Sequence, residues 1–339
     1  MSNKRFLWLD IIKIFACFNV IVNHVAEPIM INHIATNTID FYLCAIHNAL
    51  SRVAVPLFLM VTGFLLLEKD YSFKDVLKKI IRIIIPLVIF SLIVDYKWGD
   101  DYSIKTFFKQ PINEAYWYLY ILISLYVMIP ILQKIIKVLK PQDYIYLFVI
   151  CLVIPGIIEY LGIFNIGVSK YFTETFLSPL VVYPMMGLYL KNLEKSKKNK
   201  NIAWLLLICS SLIYASTFIM FYLKEGVVIS AYKNGANVFV SLMSISSFYL
   251  FRYYFEEKKI KAPNLITNIS LTTFGIYLLH VLYTTKMINS SLILNVLNVS
   301  PILAVLLAEL LLFIICGIII YILRENVDMN KKIIRIFAV

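Results

Sequence analysis

Charged side chains are what this sequence has least of. Asp, Glu, Lys and Arg make up 15% of its 339 residues, where a soluble chain carries about 25%. No polar linker or block is long enough for a separate soluble domain, so residues 1–339 read as a single transmembrane domain. The five cysteines (Cys17, Cys44, Cys151, Cys209 and Cys316) stand singly in apolar segments without metal-ligand spacing, and read as packing residues. No small-residue cleavage site follows the first apolar run, which Asp10 and Lys13 interrupt, so it reads as a retained helix and not as a cleaved signal peptide. The internal repeat that marks many secondary transporters is also missing.

Hydrophobic residues fill the space: 61% of the chain, with a mean hydropathy of +0.82. Apolar stretches long enough to span a bilayer recur throughout, at roughly 6–29, 42–67, 80–97, 115–136, 143–163, 174–191, 202–223, 236–255, 266–285 and 301–323. The fold class expected is an all-α integral membrane protein, a bundle of about ten transmembrane helices with both termini cytoplasmic. Charge supports that count independently. With the N-terminus inside and strict alternation, 23 of the 32 basic residues fall in cytoplasmic segments and seven in external ones, leaving Lys13 and Arg52 within spans. An excess of that sign is the positive-inside pattern. The net charge of +12 is therefore mostly a topology signal, with the lipid bilayer as its partner. Nucleic acid is a poor partner, because the basic residues are dispersed over many short loops.

Lys13 and His24 lie inside the first span. Eleven residues at about 100° each come close to three full turns, so both share one helix face, about 16 Å apart along it. Ionisable groups at membrane depth usually face a bundle interior or a wet cavity. The pair implies a polar path from near one side of the membrane towards the other.

The first span, with Leu9-Asp10, a base at Lys13 and His24 beyond it, resembles the first-helix signature of the membrane acyltransferase 3 family. Ser51 to Leu67, SRVAVPLFLMVTGFLLL, is similar to the family's next signature. Trp117-Tyr118-Leu119-Tyr120 running to Pro130 resembles its Trp-aromatic-Leu helix, and Phe274-Gly275-Ile276-Tyr277-Leu278-Leu279-His280 its late Gly-Ile-Tyr-Leu-x-His segment. The matches run in the family's order from residue 9 to 280. Lys13 stands where relatives more often carry arginine, Thr62 where they carry serine, and Ala115-Tyr116 where they often have histidine and leucine. The resemblance is to the short, membrane-only type. It implies an O-acyltransferase of the inner (plasma) membrane that moves an acyl group, usually acetyl, from cytoplasmic acyl-coenzyme A to a hydroxyl of a cell-envelope or lipid-linked glycan. The rival reading is a transporter or flippase of a glycan precursor, which a polar path would also suit.

Chemistry assigns the residues within that frame. A hydroxyl near pH 7 needs a base as it attacks a thioester, and His24 is the candidate base or acyl relay. Arg52 and Lys13 are the candidate cations for the developing oxyanion, the carbonyl oxygen or the coenzyme. Glu27, one turn from His24, is placed to orient the imidazole, or else to sit solvated at the membrane edge. Lys78, Lys79 and Arg82 cluster where coenzyme phosphates would dock, with topology-setting charge as the alternative. Trp117, Tyr277 and His280 are expected beside the substrate. His24, His47 and His280 are placed at a similar depth but lack ligand spacing, so no metal is expected. Glu309 and Glu159 have no partner assignable from sequence.

Overall fold

A computed structural model describes residues 5–98, 109–164, 166–169, 178–226, 237–284 and 299–327. All regular structure among them is helical. The helices are α1 (Leu7–His33), α2 (Ile39–Ser51), α3 (Ala54–Leu66), α4 (Phe73–Trp98), α5 (Trp117–Ile136), α6 (Pro141–Phe148), α7 (Ile154–Ile163), α8 (Pro179–Asn192), α9 (Lys197–Glu225), α10 (Val238–Phe255), α11 (Pro263–Thr284) and α12 (Pro301–Val327). A 3-10 turn, Glu114–Tyr116, leads into α5, and a π-helical stretch, Val149–Val153, joins α6 to α7.

Eight stretches among the described residues are long and apolar enough to cross a bilayer: Leu7–Asn32, Ile39–Leu66, Glu114–Ile136, Pro141–Gly162, Lys197–Glu225, Val238–Phe255, Pro263–Thr284 and Pro301–Glu325. They correspond to eight of the ten apolar stretches in the sequence. The stretch at 80–97 lies in α4, where Arg82, Asp95 and Lys97 raise the charge. That at 174–191 ends in the short α8, and residues 174–177 lie outside the described residues, as do 236 and 285. The stretch at 42–67 is not one continuous helix. The Pro56 ring excludes the carbonyl of Arg52, four residues earlier, from a helical bond, and the chain breaks at Arg52–Val53 between α2 and α3.

α1 is packed by α2, α3, α10, α11 and α12, so its motif residues sit inside the bundle. Apolar side chains fill the outer surface. On α4, Ile81, Ile84, Ile85, Ile89, Leu92 and Ile93 form an exposed stripe at helical spacing, and α9 and α12 carry similar faces. Such surface suits hydrocarbon. The N-terminus of α4 is closed by a capping box. Ser72 Oγ donates to Asp75 Oδ2 at 2.6 Å, and those Ser72 bonds hold the Asp75 carboxyl below the usual carboxylate range. Arg252, buried at the end of α10, donates to the carbonyls of Leu190 and Leu193 at the C-terminus of α8, where cations are favoured.

At one crossing, α3 on α8, the main chains meet directly. A Cβ at Gly63 would collide with the Pro184 backbone, and one at Gly187 with the Met60 backbone, so two glycines let the main chains touch. Gly63→Ala and Gly187→Ala are each expected to destabilise the folded protein by about 1–3 kcal/mol, the usual range for overpacking. Gly162→Ala, with open space around it, should be near neutral. Thermal unfolding in detergent measures all three.

Candidate active site

Two ion-pair knots fix the cavity walls. At one, the buried Asp10 carboxylate accepts from Arg5 Nε at 2.7 Å and from Ser270 Oγ at 2.6 Å, tying α1 to α11, while Lys13 Nζ stands 3.8 Å away. Arg5 holds the tight contact, and Lys13 meets Asp10 only as a loose ion pair. At the other, Arg52 Nη2 donates to Glu27 Oε2 at 2.5 Å and to Asn48 Oδ1 at 2.9 Å. Ser51 Oγ donates to Asn23 Oδ1 at 2.7 Å beside them. Glu27 is therefore not a solvated edge residue. It neutralises Arg52, and both side chains are about nine-tenths buried.

Lys13, Lys79 and Arg82 come together in a cavity of about 180 Å³ that no described carboxylate lines. Lys79 Nζ lies 5.0 Å from the Tyr71 ring centroid and 5.7 Å from that of Tyr126. Thr62 shares this wall, its hydroxyl donating to the Phe58 carbonyl at 2.9 Å. Lys78 is not brought in; it is exposed and paired with Asp75 at 3.7 Å. Lys13 and Leu65 also line a neighbouring cavity of about 490 Å³, where Arg5, Lys69 and Lys191 add further positive charge against Asp10 and Glu68. Clustered cations of this kind suit phosphate.

A larger cavity of about 730 Å³ holds His24, Glu27, Arg52 and Trp117, with Glu114 and Glu159 on its walls. His24 is half-buried, its ring centroid 5.3 Å from that of the fully buried His280. His280 Nδ1 lies 2.6 Å from the Tyr277 carbonyl. A carbonyl only accepts, so Nδ1 carries the hydrogen and Nε2, which has no hydrogen-bond partner among the described residues, presents a lone pair. Among the described residues, the linings of the basic cavity and this one have only Tyr118 and Tyr277 in common.

Of the ten candidate residues, the structure thus places Lys13, Lys79, Arg82 and Tyr277 at the basic cavity, and His24, Glu27, Arg52, Trp117 and again Tyr277 at the larger one. His280 sits behind His24, and Lys78 stands apart. The histidines do not act as a trio, since His47 Nε2 bonds Glu309 Oε2 at 2.8 Å between α2 and α12. Among the described residues no group of three or more His, Cys, Asp or Glu is placed to hold a metal ion. Tyr118 and Tyr126 did not stand out in the sequence, although a signal for Tyr126 was present. Four prolines, Pro28, Pro56, Pro86 and Pro130, each lie four residues after a cavity-lining residue: His24, Arg52, Arg82 and Tyr126. Each removes the N–H that would have bonded that residue's carbonyl. In a membrane such interruptions are tolerated where they line a cavity.

The fold and site define a multi-pass, all-helical membrane protein with a basic cavity backed onto a histidine-bearing one. The family model described as an acyltransferase domain, acyltransferase 3, matches residues 6–321. The chain belongs to that family and is an acyltransferase. No curated protein and no solved structure matches it.

Removing either partner of the Glu27–Arg52 pair leaves a mostly buried charge at the cavity wall, a loss of up to about 3–5 kcal/mol, the range for a fully buried pair. Glu27→Ala and Arg52→Ala should each lower stability by that order, and the double variant by clearly less than their sum. Unfolding of the single and double variants in mixed micelles measures the coupling.

Proposed function

We propose that this protein is an O-acyltransferase, working with acetyl or a similar short acyl group, of the inner (plasma) membrane. In this reading residues 1–339 act as one transmembrane unit of ten spans with both termini cytoplasmic. The exposed apolar stripe of α4 supports counting it as a span, and the basic asymmetry of the connections supports the orientation. The donor is acyl-coenzyme A from the cytoplasm and the acceptor a hydroxyl of an external or lipid-linked glycan. The observation that carries the reading is the pair of cavities: three cations with no lining carboxylate on one side, and His24 on the other, parted by one pair of rings. Coenzyme phosphates bind at Lys13, Lys79 and Arg82, and the pantetheine arm extends towards His24.

At His24 the chemistry follows from the groups present. The imidazole takes the acceptor's hydroxyl proton as that oxygen attacks the thioester carbonyl carbon. The C–O bond forms, the C–S bond breaks, and the proton on His24 passes to the leaving thiolate. His280 packs behind His24, with ring centroids 5.3 Å apart. Arg52, its charge balanced by Glu27, positions the carbonyl oxygen and adds only part of a charge to the oxyanion. Trp117 offers an apolar face to a sugar ring.

Sealed proteoliposomes carrying purified protein, with radiolabelled acetyl-CoA supplied to one face at a time and a mixed envelope-glycan acceptor, test the reading. Label should pass to the acceptor with donor on the cytoplasmic face only. His24→Ala should lower the rate by about 10²–10⁴-fold, the range for loss of a general base. Normal transfer by that variant would make His24 structural. A flippase would consume no acetyl-CoA from either face.

A further inference from the structure

Tyr118 and Tyr277 hold a position that neither basic residues nor histidines occupy. Their rings meet edge to face with centroids 5.8 Å apart, and both border the basic cavity on one side and the His24 cavity on the other. The pair is held from both helices. Tyr277 Oη donates to the Ala115 carbonyl in the 3-10 turn before α5, and Tyr116 Oη donates to the Leu278 carbonyl at 2.8 Å. Two reciprocal tyrosine-to-carbonyl bonds therefore stitch the start of α5 to the middle of α11, one turn from where Tyr118 touches Tyr277. Phe58 backs Tyr118 at 5.9 Å, and His280 lies 5.7 Å behind Tyr277. Tyr277 is thus fixed by its own bond to the main chain, and Tyr118 is held by its ring contacts with Tyr277 and Phe58.

We infer that the Tyr118–Tyr277 ring pair is the barrier between donor and acceptor cavities and selects the acyl chain that passes. The inference rests on the donor reading above and assigns Tyr118 a specificity role within it. A thioester arriving from the Lys79 side must slide its acyl end between the edge of one ring and the face of the other to reach His24. Of the two cavities that the rings border, the basic one is the smaller, about 180 Å³ against about 730 Å³. The closed rings also keep the two aqueous spaces apart when no donor is bound.

Two readouts test the inference, and only the first depends on the enzyme reading. In the first, purified protein is given acetyl-, butyryl- and hexanoyl-CoA with envelope glycan. Tyr118→Ala should raise kcat/KM for butyryl- relative to acetyl-CoA by about tenfold or more, since a pocket separates substrates by roughly 10–200-fold per methylene or so. Tyr118→Phe, which keeps the ring, should restore the wild-type order. An unchanged order in Tyr118→Ala overturns the inference. Tyr118→Leu runs beside it in case the alanine variant does not accumulate.

If no variant consumes acyl-CoA, the enzyme reading fails and the second readout still decides the barrier. Val55→Cys places a thiol in the His24 cavity. A membrane-impermeant methanethiosulfonate is applied to either face of sealed vesicles, and the mass of the peptide carrying residue 55 is followed. Labelling should be one-sided in the Val55→Cys parent and two-sided once Tyr118→Ala is added. Two-sided labelling of the parent, or one-sided labelling of the double variant, overturns the inference.

Discussion

The cost of placing charge in hydrocarbon governs the rest of this structure. An ionised group at membrane depth must meet an opposite charge or face water. Each charge on the inner face of α1 obeys one rule or the other. Asp10 is buried and bonded by Arg5 and Ser270; Glu27, at the cavity wall, is paired with Arg52; Lys13, only loosely paired, lines cavities. The pairs hold α1 to α11 and to the α2–α3 break, and the group with charge to spare looks into the basic cavity. Structure and candidate chemistry are two consequences of the same penalty.

The backbone follows a parallel logic. Prolines at 28, 56, 86 and 130 interrupt helical bonding at His24, Arg52, Arg82 and Tyr126, and all four of these residues line one cavity or the other. In the interior of a membrane helix that loss is tolerable where polar groups or water can replace the missing bond. Gly63 and Gly187 act in the opposite sense, removing side chains so that α3 and α8 close without a gap. The Thr62-Gly63-Phe64 turn is thus divided in its use: Thr62 faces the basic cavity, Gly63 admits the neighbouring helix, and Phe64 packs on Trp8 at 5.2 Å.

Much of this was legible in the sequence because it rests on periodicity and on rare residues. Helical spacing put Lys13 and His24 on one face of α1, and they do line successive cavities. The late Phe-Gly-Ile-Tyr segment brings Phe274 and Tyr277 to the cavity side while Gly275 meets Ile320 on α12. What the sequence left open were pairings between distant helices. Glu309 finds His47 and Arg52 finds Glu27 across separations that no local spacing encodes. Lys78 and Lys79 are neighbours in sequence, yet 100° of helix rotation sends one to solvent and the other over two tyrosine rings. Tyr118 stood in a recognised motif but gained no role of its own, because among 23 tyrosines an aromatic residue reads as core until it is seen to line two cavities.

In the proposed reaction a donor bound at the basic cavity reaches His24 past the tyrosine pair. An experimental structure of the protein with a non-cleavable thioether analogue of acetyl-CoA tests it most directly. Phosphates are expected at Lys13, Lys79 and Arg82, the pantetheine arm between Tyr118 and Tyr277, and the carbonyl carbon beside His24 with room for a hydroxyl at about 3–3.5 Å. An analogue whose phosphates lie elsewhere, or whose carbonyl ends in the basic cavity with the two rings closed over it, would contradict it.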